Sequence, residues 1–351
     1  MKTDLTSLSA ADTLKWVEEL GLESYRATQI RQWIFKKFAS SFDEMSNISA
    51  SLRELLKEKA YIGSLEKTDT LVSEDTTEKY LFRLDDGHFI ESVLIPEKDH
   101  FTLCISSQAG CAMGCAFCHT ARQGLKRNLT PGEIAGQVIE AKRSIKDPDS
   151  LTNIVLMGMG EPLANYESVI TALDNIIGED ALNFSRRKVT LSTSGLVPFI
   201  KKLGTDSPVN LAVSLNAADD ETRSYLMPVN KKYSLKSLMS ACRDFPLPNR
   251  RMITFEYILI KGVNDSPGDA LNMVKLLKGI RAKINLIPLN PGPDPGMKAP
   301  SPDDIIRFQD ILSENRLTAI IRKSKGQDIL AACGQLAGKR KQADNSGKQM
   351  P

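Results

Sequence analysis

The chain has 351 residues, a length that suggests two domains or one barrel with an appendage. Hydrophobic residues make up 41% and charged residues 25%, which excludes a wholly disordered chain, a collagen and a polytopic membrane protein. The net charge is only +3, so any surface that binds RNA has to be a local patch. No apolar run reaches the roughly 18 residues that span a bilayer, and residues 1–13 lack the apolar core of a secretory signal. We therefore expect a cytoplasmic protein with no membrane partner.

The first part of the chain predicts a small accessory domain. Residues 9 to about 60 have helical periodicity. Two apolar runs, 80–84 and 88–95, flank the Gly-containing turn 85–87 and predict a β-hairpin.

From about residue 100, six apolar strands alternate with helical stretches. The predicted strands are Leu103–Ser107, Asn153–Met157, Lys188–Ser192, Asn210–Leu215, Met252–Ile260 and Lys283–Leu289. Thr130 and Glu133, with a proline between them, predict a capped helix start. Six βα units predict a parallel sheet, either a partial barrel or a doubly wound sheet. Residues 339–351 are polar and predict a loose tail.

Three of the six cysteines lie within eight residues. Cys111, Cys115 and Cys118 form a C-x3-C-x2-C pattern directly after the first strand of the βα series. Thiolates at this spacing can each bind one corner of a [4Fe–4S] cluster, and three of them leave one iron open to a small molecule. The alternative is a structural zinc site that adds His119. Zinc sites usually supply a second pair of ligands a dozen or more residues away, and no such pair is visible.

The cysteine pattern, with Phe117 before the last cysteine, resembles the radical S-adenosylmethionine (SAM) superfamily. The resemblance covers residues 10–338 and continues through the segments Met157–Pro162, Leu191–Gly195, Ala212–Asn216, Leu286–Pro291 and Ala331–Leu336. As a set, these motifs resemble the bacterial dual-specificity 23S rRNA and tRNA adenine-C2 methyltransferases.

The resemblance implies an α/β fold in three parts. Residues 1–96 would be an N-terminal accessory domain of helices and a β-hairpin that binds RNA. Residues 97–326 would form a partial (β/α)6 radical SAM barrel. Residues 327–351 would be a C-terminal segment that ends in the polar tail.

The resemblance also implies a cofactor site. Cys111, Cys115 and Cys118 would hold one [4Fe–4S] cluster whose open iron binds SAM. The residues that would contact SAM are Gly160, Glu161, Ser192, Ser214, Leu215, Asn216 and Asn290. Polar residues at the carboxyl ends of several parallel strands are where barrel sites assemble. Asn216 departs from the histidine often found at its position, which puts its side-chain contact in doubt but not its backbone contacts.

Three further residues receive roles only from the resemblance. Cys333 would take a methyl group from one SAM, and a second SAM would supply the radical that activates this group for addition to C2 of adenine. Glu91 would then remove the C2 proton as general base. Cys104 would attack the Cys333 sulfur, release the RNA and leave a disulfide. On spacing alone, Cys104, Cys242 and Cys333 would be small core residues and Glu91 a solvent-side strand residue.

The implied partners are 23S rRNA, tRNA, a low-potential electron donor such as flavodoxin, and a thiol reductant for the Cys104–Cys333 disulfide. We expect a monomer. Basic and aromatic residues alternate around Trp33, which we expect to be mainly core. The candidate phosphate contacts in this stretch are Arg26, Arg31, Lys36 and Lys37. Two alternatives stay open: methylation of adenine C8 by the same chemistry, and a zinc-stabilised RNA-binding protein without catalysis. Pro162 weakly favours C2.

Overall fold

The computed structural model describes residues 2–338, and the predicted tail at 339–351 lies outside them. The strands are β1 (Thr3–Asp4), β2 (Ala60–Tyr61), β3 (Glu66–Val72), β4 (Glu78–Arg83), β5 (Phe89–Pro96), β6 (Phe101–Cys104), β7 (Gln108–Gly110), β8 (Leu125–Asn128), β9 (Leu151–Leu156), β10 (Val189–Thr193), β11 (Asn210–Ser214), β12 (Ile253–Leu259), β13 (Ala282–Pro288) and β14 (Thr318–Ile321). The helices are α1 (Ala10–Glu19), α2 (Tyr25–Phe35), α3 (Ala50–Lys59), α4 (His119–Arg122), α5 (Pro131–Ser144), α6 (Tyr166–Ile177), α7 (Val197–Asp206), α8 (Asp220–Leu226), α9 (Leu235–Asp244), α10 (Pro267–Leu276) and α11 (Pro302–Glu314). Within this part of the chain, no helix combines the length and the apolar character needed to cross a membrane.

One ten-stranded sheet organises the fold. Its order is β14-β13-β12-β11-β10-β9-β6-β5-β4-β3, and every pair from β6 to β14 is parallel. The six predicted βα strands correspond to β6 and β9–β13, which confirms the parallel α/β barrel architecture. The seventh parallel strand, β14, was not predicted. It is a short edge strand whose residues alternate between exposed and half-buried, so it lacks the apolar run of a buried strand.

Local signals locate two elements correctly. Helix α5 starts at the predicted capping box, where the Glu133 backbone N–H donates to Thr130 Oγ1 at 3.2 Å and the Thr130 N–H donates to Glu133 Oε2 at 2.8 Å. The predicted hairpin is β4–β5, with Gly87 in its turn at φ +82°. Because β5 also pairs with β6, the hairpin shares its sheet with the barrel strands. The domain limit near residue 96 stays a prediction.

The N-terminal helices α1–α3 correct the expectation that Arg31 is a phosphate contact. Arg31 does not face phosphates, because it is buried and its Nε donates to Asp180 Oδ2 at 2.7 Å. Its Nη1 also donates to Asn175 Oδ1 at 2.9 Å, so this guanidinium ties α2 to the end of α6. Trp33 is half-buried and packs against the hydrophobic core, and its Nε1 donates to Asn47 Oδ1 at 2.6 Å.

Candidate functional site

Four predicted SAM contacts lie at one edge of the sheet. They end or follow four different strands: Gly160 (after β9), Ser192 (in β10), Ser214 (the last residue of β11) and Asn290 (after β13). Because these strands run parallel, their carboxyl ends meet at the same edge. The fold therefore gathers polar groups from distant parts of the chain around one opening of the barrel.

The loop with the three cysteines starts directly after β7, which pairs with β8. The Cys111 N–H donates to the Gly124 carbonyl at 3.2 Å, and the Cys118 N–H donates to the Cys115 carbonyl at 3.2 Å, so the loop folds back on itself. Gly110 has φ +78°, and a Cβ there would lie 2.0 Å from the Gly124 oxygen. Only glycine fits this entry into the loop.

Two of the loop thiols, Cys111 and Cys115, resist ionisation. Burial raises the pKa of Cys111 to about 12 and raises the pKa of Cys115 further, and the neighbouring Cys118 adds to both shifts. Coordination by a metal removes the thiol proton, because the metal supplies the positive charge that the site lacks. The loop therefore couples deprotonation of its cysteines to metal binding.

This donor set fits a [4Fe–4S] cluster better than a zinc ion. Within residues 2–338, no group of three or more Cys, His, Asp or Glu side chains is close enough to hold a single metal ion. A zinc ion requires all its ligands at about 2.0–2.3 Å from one centre. Thiolates on an iron–sulfur cube each bind a different iron and stand further apart. The zinc alternative therefore finds no support in the arrangement of these residues.

Glu161 is a buried carboxyl at the same edge of the sheet. Its Oε2 accepts the Ser194 N–H at 2.7 Å and its Oε1 accepts the Leu163 N–H at 3.1 Å, yet burial raises the pKa of this carboxyl. The preceding Gly160 has φ +102°, and a Cβ there would lie 2.6 Å from Gln108 Cβ. This tight turn buries a carboxyl beside the cysteine loop, where it can hold a ligand ammonium group.

The side chain of Asn216 is occupied by contacts within the protein. Asn216 has φ +56°, a conformation that asparagine tolerates better than most residues. Its Oδ1 accepts the Ile258 N–H at 2.8 Å and its Nδ2 lies 3.2 Å from Met227 Sδ. The predicted contact with SAM stays a prediction, and the backbone is the part of Asn216 that would make it.

Cys104 and Cys333 are brought together although they are far apart in sequence. Cys104 is buried at the end of β6, whereas Cys333 follows β14 and stays accessible to solvent; both are free thiols. Burial raises the pKa of Cys104, and the nearby Cys333 adds to that shift. Loss of hydration raises the pKa of the Cys333 thiol to about 11, and Glu256 and, less strongly, Cys118 add to this shift. Cys333 is therefore close enough to Cys104 and to Cys118 of the loop for their charges to interact. Cys242, by contrast, lies in the core.

The segment that carries Cys333 is tied to the predicted cofactor site. Asn290 Nδ2 donates to the Cys333 carbonyl at 3.2 Å, and Asn290 Oδ1 accepts from Gln327 Nε2 at 2.7 Å. The His119 N–H, directly after the last cysteine of the loop, donates to the Gly334 carbonyl at 2.8 Å. A predicted SAM contact and the loop thus both hold the backbone around Cys333.

Glu91 is buried, not on the solvent side as its position in β5 alone suggests. Its Oε1 lies 3.2 Å from Lys79 Nζ, and its Oε2 accepts the Ala337 N–H at 2.7 Å. Lys79 Nζ also donates to the Leu330 carbonyl at 3.2 Å. Sequence reasoning missed Lys79. The available signal was the register of the hairpin. Leu81 pairs directly with Glu91, so Lys79, two residues earlier on the same strand and face, is the diagonal neighbour of Glu91.

Part of the predicted basic surface is arranged for aromatic contacts. Lys37 Nζ lies 3.7 Å from the centroid of the Trp33 ring, and the Arg26 guanidinium lies 4.6 Å from that of Tyr25. Lys36 and Lys37 are exposed. These residues stay candidates for phosphate contacts.

Two family models match the chain. The model described as the ribosomal RNA large subunit methyltransferase N-terminal domain covers residues 3–62, and the radical SAM superfamily model covers residues 105–274.

Relatives match over nearly the whole length. The "Dual-specificity RNA methyltransferase RlmN" of Desulfosudis oleivorans is 56% identical over 335 residues, which cover 95% of this chain and 90% of that protein. The protein of the same name from Syntrophus aciditrophicus is 52% identical over 338 residues, 96% of this chain and 97% of its own. A solved structure of a radical SAM methyltransferase from Sphaerobacter thermophilus superposes with a TM-score of 0.90 at 42% identity, over 96% of this chain and 100% of the other.

Proposed function

The chain belongs to the RlmN family of dual-specificity RNA methyltransferases within the radical SAM superfamily, and on this premise we propose how its own residues act in the reaction. It is a radical SAM RNA methyltransferase that uses a [4Fe–4S] cluster and SAM. We propose that its target is C2 of adenine, in 23S rRNA and in tRNA.

The observation that carries this proposal is the juxtaposition of three kinds of cysteine at the carboxyl edge of the barrel. Cys333 is close enough to both Cys104 and Cys118 of the loop for their charges to interact. A methyl carrier has to reach both the cofactor that activates it and the thiol that releases it. A set of inert core cysteines requires neither contact.

We propose Cys111, Cys115 and Cys118 as the cluster ligands, and Glu161 as the group that holds the amino group of SAM. When bound, a [4Fe–4S] cluster with one open iron supplies the electron that cleaves SAM and starts radical chemistry. The other residues proposed to contact SAM are Gly160, Ser192, Ser214, Leu215, Asn216 and Asn290.

Cys333 is the proposed methyl carrier. At neutral pH its thiol is protonated, because its pKa is raised to about 11. The thiol therefore has to lose its proton before its sulfur attacks the methyl carbon of SAM. The new S–CH3 bond forms as the bond between that carbon and the SAM sulfur breaks, and S-adenosylhomocysteine leaves. The hydrogen bond from Asn290 to the Cys333 carbonyl keeps the carrier at the cofactor site.

Cys104 is the proposed resolving residue. Its thiolate would attack the Cys333 sulfur, and the bond between that sulfur and the carbon attached to adenine would break, with the electron pair leaving on the nucleotide product. The two sulfurs end as a disulfide. A thiol reductant must return two electrons before the next turnover, and a separate low-potential donor such as flavodoxin would reduce the cluster.

Glu91 is the proposed general base for the C2 proton. Lys79 keeps a positive charge beside its carboxylate, while the Ala337 N–H occupies Oε2. Glu91 is only 2% exposed and the backbone of Ala337 lies against its Oε2, so adenine can reach the carboxylate only if this covering segment moves aside. We therefore expect the end of the described chain to move when RNA binds.

The test is methylation by anaerobically reconstituted protein with SAM, a chemical reductant and either 23S rRNA or tRNA. Nucleosides from the digested RNA are then separated and identified by mass spectrometry. We expect 2-methyladenosine from both RNAs. 8-Methyladenosine would move the target to C8, and a colourless zinc protein that methylates neither RNA would contradict the proposal.

A further inference from the structure

Arg223 in α8 is a buried cation without a carboxylate partner. Its side chain is fully buried, and no carboxylate oxygen within residues 2–338 lies within 4 Å of its guanidinium. Arg31, the other fully buried large cation, is paired with Asp180 at 2.7 Å. Burying a charge is costly unless an opposite charge lies nearby, so the surroundings of Arg223 point to a missing anion.

The protein partners of Arg223 are neutral. Its Nε donates to the Leu215 carbonyl at 3.0 Å, and its Nη2 donates to the carbonyls of Ser194 at 2.7 Å and Ser214 at 3.1 Å. Its Nη1 donates to Asn230 Oδ1 at 2.9 Å. A guanidinium has five N–H donors. One Nη1 donor therefore has no partner in the part of the chain that the structure describes.

The nearest compensation is indirect. Asn230 Nδ2 donates to Asp220 Oδ1 at 2.9 Å, so Asp220 reaches Arg223 only through an intervening amide. Burial lowers the pKa of Arg223 to about 10, although Cys115 and Asp220 act in the opposite direction. The positive charge is therefore not neutralised by the protein around it.

Arg223 belongs to a helix that packs against the cysteine loop. The Ala116 N–H donates to the carbonyl of Leu226, one turn after Arg223 in the same helix, at 2.9 Å. Leu226 also packs in one apolar cluster with Phe117 and Cys115. Helix α8 therefore packs directly against the loop that would hold the cluster.

A [4Fe–4S] cluster held by three thiolates is negatively charged, and reduction by one electron adds to that charge. We propose that Arg223 is the counter-charge of the cluster, and that it makes the cluster easier to reduce while it holds the strand ends at Ser194, Ser214 and Leu215. It is a positioning and redox-tuning residue, not a catalytic one. This inference rests on the proposed assignment of Cys111, Cys115 and Cys118 as ligands.

The experiment is a redox titration of the cluster in the full chain, followed by electron paramagnetic resonance. The variants are Arg223→Lys, which keeps the charge, and Arg223→Met and Arg223→Gln, which remove it. Gln keeps an amide donor for the strand-end carbonyls, so it serves if the Met variant does not fold. Arg31→Met is the matched control, because it removes a buried arginine away from the loop.

At a fixed potential near the wild-type midpoint, we expect the ratio of reduced to oxidised cluster to fall about tenfold in the Met and Gln variants. That change equals about 59 mV for one electron. The Lys variant and the Arg31 control should stay near wild type. An unchanged midpoint in both neutral variants, or an equal shift in the Lys variant, would overturn the inference.

The iron content of the wild-type protein separates this inference from the proposed function. If the reconstituted wild-type chain binds no cluster, the ligand assignment fails and the inference fails with it. If it binds a cluster whose midpoint does not depend on charge at Arg223, only the inference fails.

Discussion

Replacing Lys79 with Met should destabilise the protein by about 3–5 kcal/mol. Lys79 Nζ lies 3.2 Å from Glu91 Oε1, and the two side chains are only 9% and 3% exposed. At an effective dielectric constant of about 20, unit charges at this distance attract by about 5 kcal/mol. Removing one partner of a buried ion pair costs about 3–5 kcal/mol, because the other charge stays buried without compensation.

The measurement is the free energy of unfolding in urea for cluster-free protein at neutral pH, in a double-mutant cycle with Glu91→Gln. The double variant leaves no buried charge, so we expect a coupling of at least about 2 kcal/mol. Arg83→Met is the control, since Arg83 lies on the same strand as Lys79 but its ion pair with Glu66 of the neighbouring strand β3 is more than half exposed and contributes little. Additive single effects, within about 0.5 kcal/mol, would refute the reasoning.

The same Lys79→Met variant should also slow methylation. Lys79 holds both the proposed base and the Leu330 carbonyl of the segment that leads to Cys333. Single-turnover methylation at saturating RNA measures this loss, and a full wild-type rate would mean that Lys79 has a structural role only.

Three further predictions follow from the cysteines and from one glycine. Cys104→Ala should leave the protein covalently linked to RNA, seen as a ribonuclease-sensitive band in denaturing gels. Cys333→Ala should give no such band, because only Cys333 would carry the carbon that bonds to adenine. A linked band in Cys333→Ala would mean that the carrier is another residue. Cys115→Ala should lose the cluster and SAM cleavage together, and full iron content in this variant would contradict its role as a ligand. Gly160→Ala should cost about 2–5 kcal/mol and weaken SAM binding in equilibrium dialysis, because φ is +102° and the added Cβ would meet side-chain and backbone atoms at 2.6–2.8 Å. Gly268→Ala, with its nearest contact at 3.5 Å, is the control and should bind SAM normally.

Local chemistry explains which parts of the fold could be predicted. The helix start at Thr130, the hairpin turn at Gly87 and the strands β6 and β9–β13 depend on residues next to each other in the chain. The spacing of Cys111, Cys115 and Cys118 is local in the same way, so the sequence alone indicated the cluster loop. The edge strand β14 was missed because half-exposed residues leave no continuous apolar run.

Tertiary structure decided what depends on contacts between distant segments. Cys104 ends the first strand of the barrel and Cys333 follows the last one, yet the fold brings them near each other. The residues next to either cysteine in the sequence do not indicate this proximity. The burial of Glu91 with Lys79 and the burial of Arg31 against Asp180 changed both from expected surface residues into buried ones. A residue type and its neighbours in sequence determine which chemistry is available. Which of these groups meet, and whether water reaches them, is determined only when the sheet closes around them.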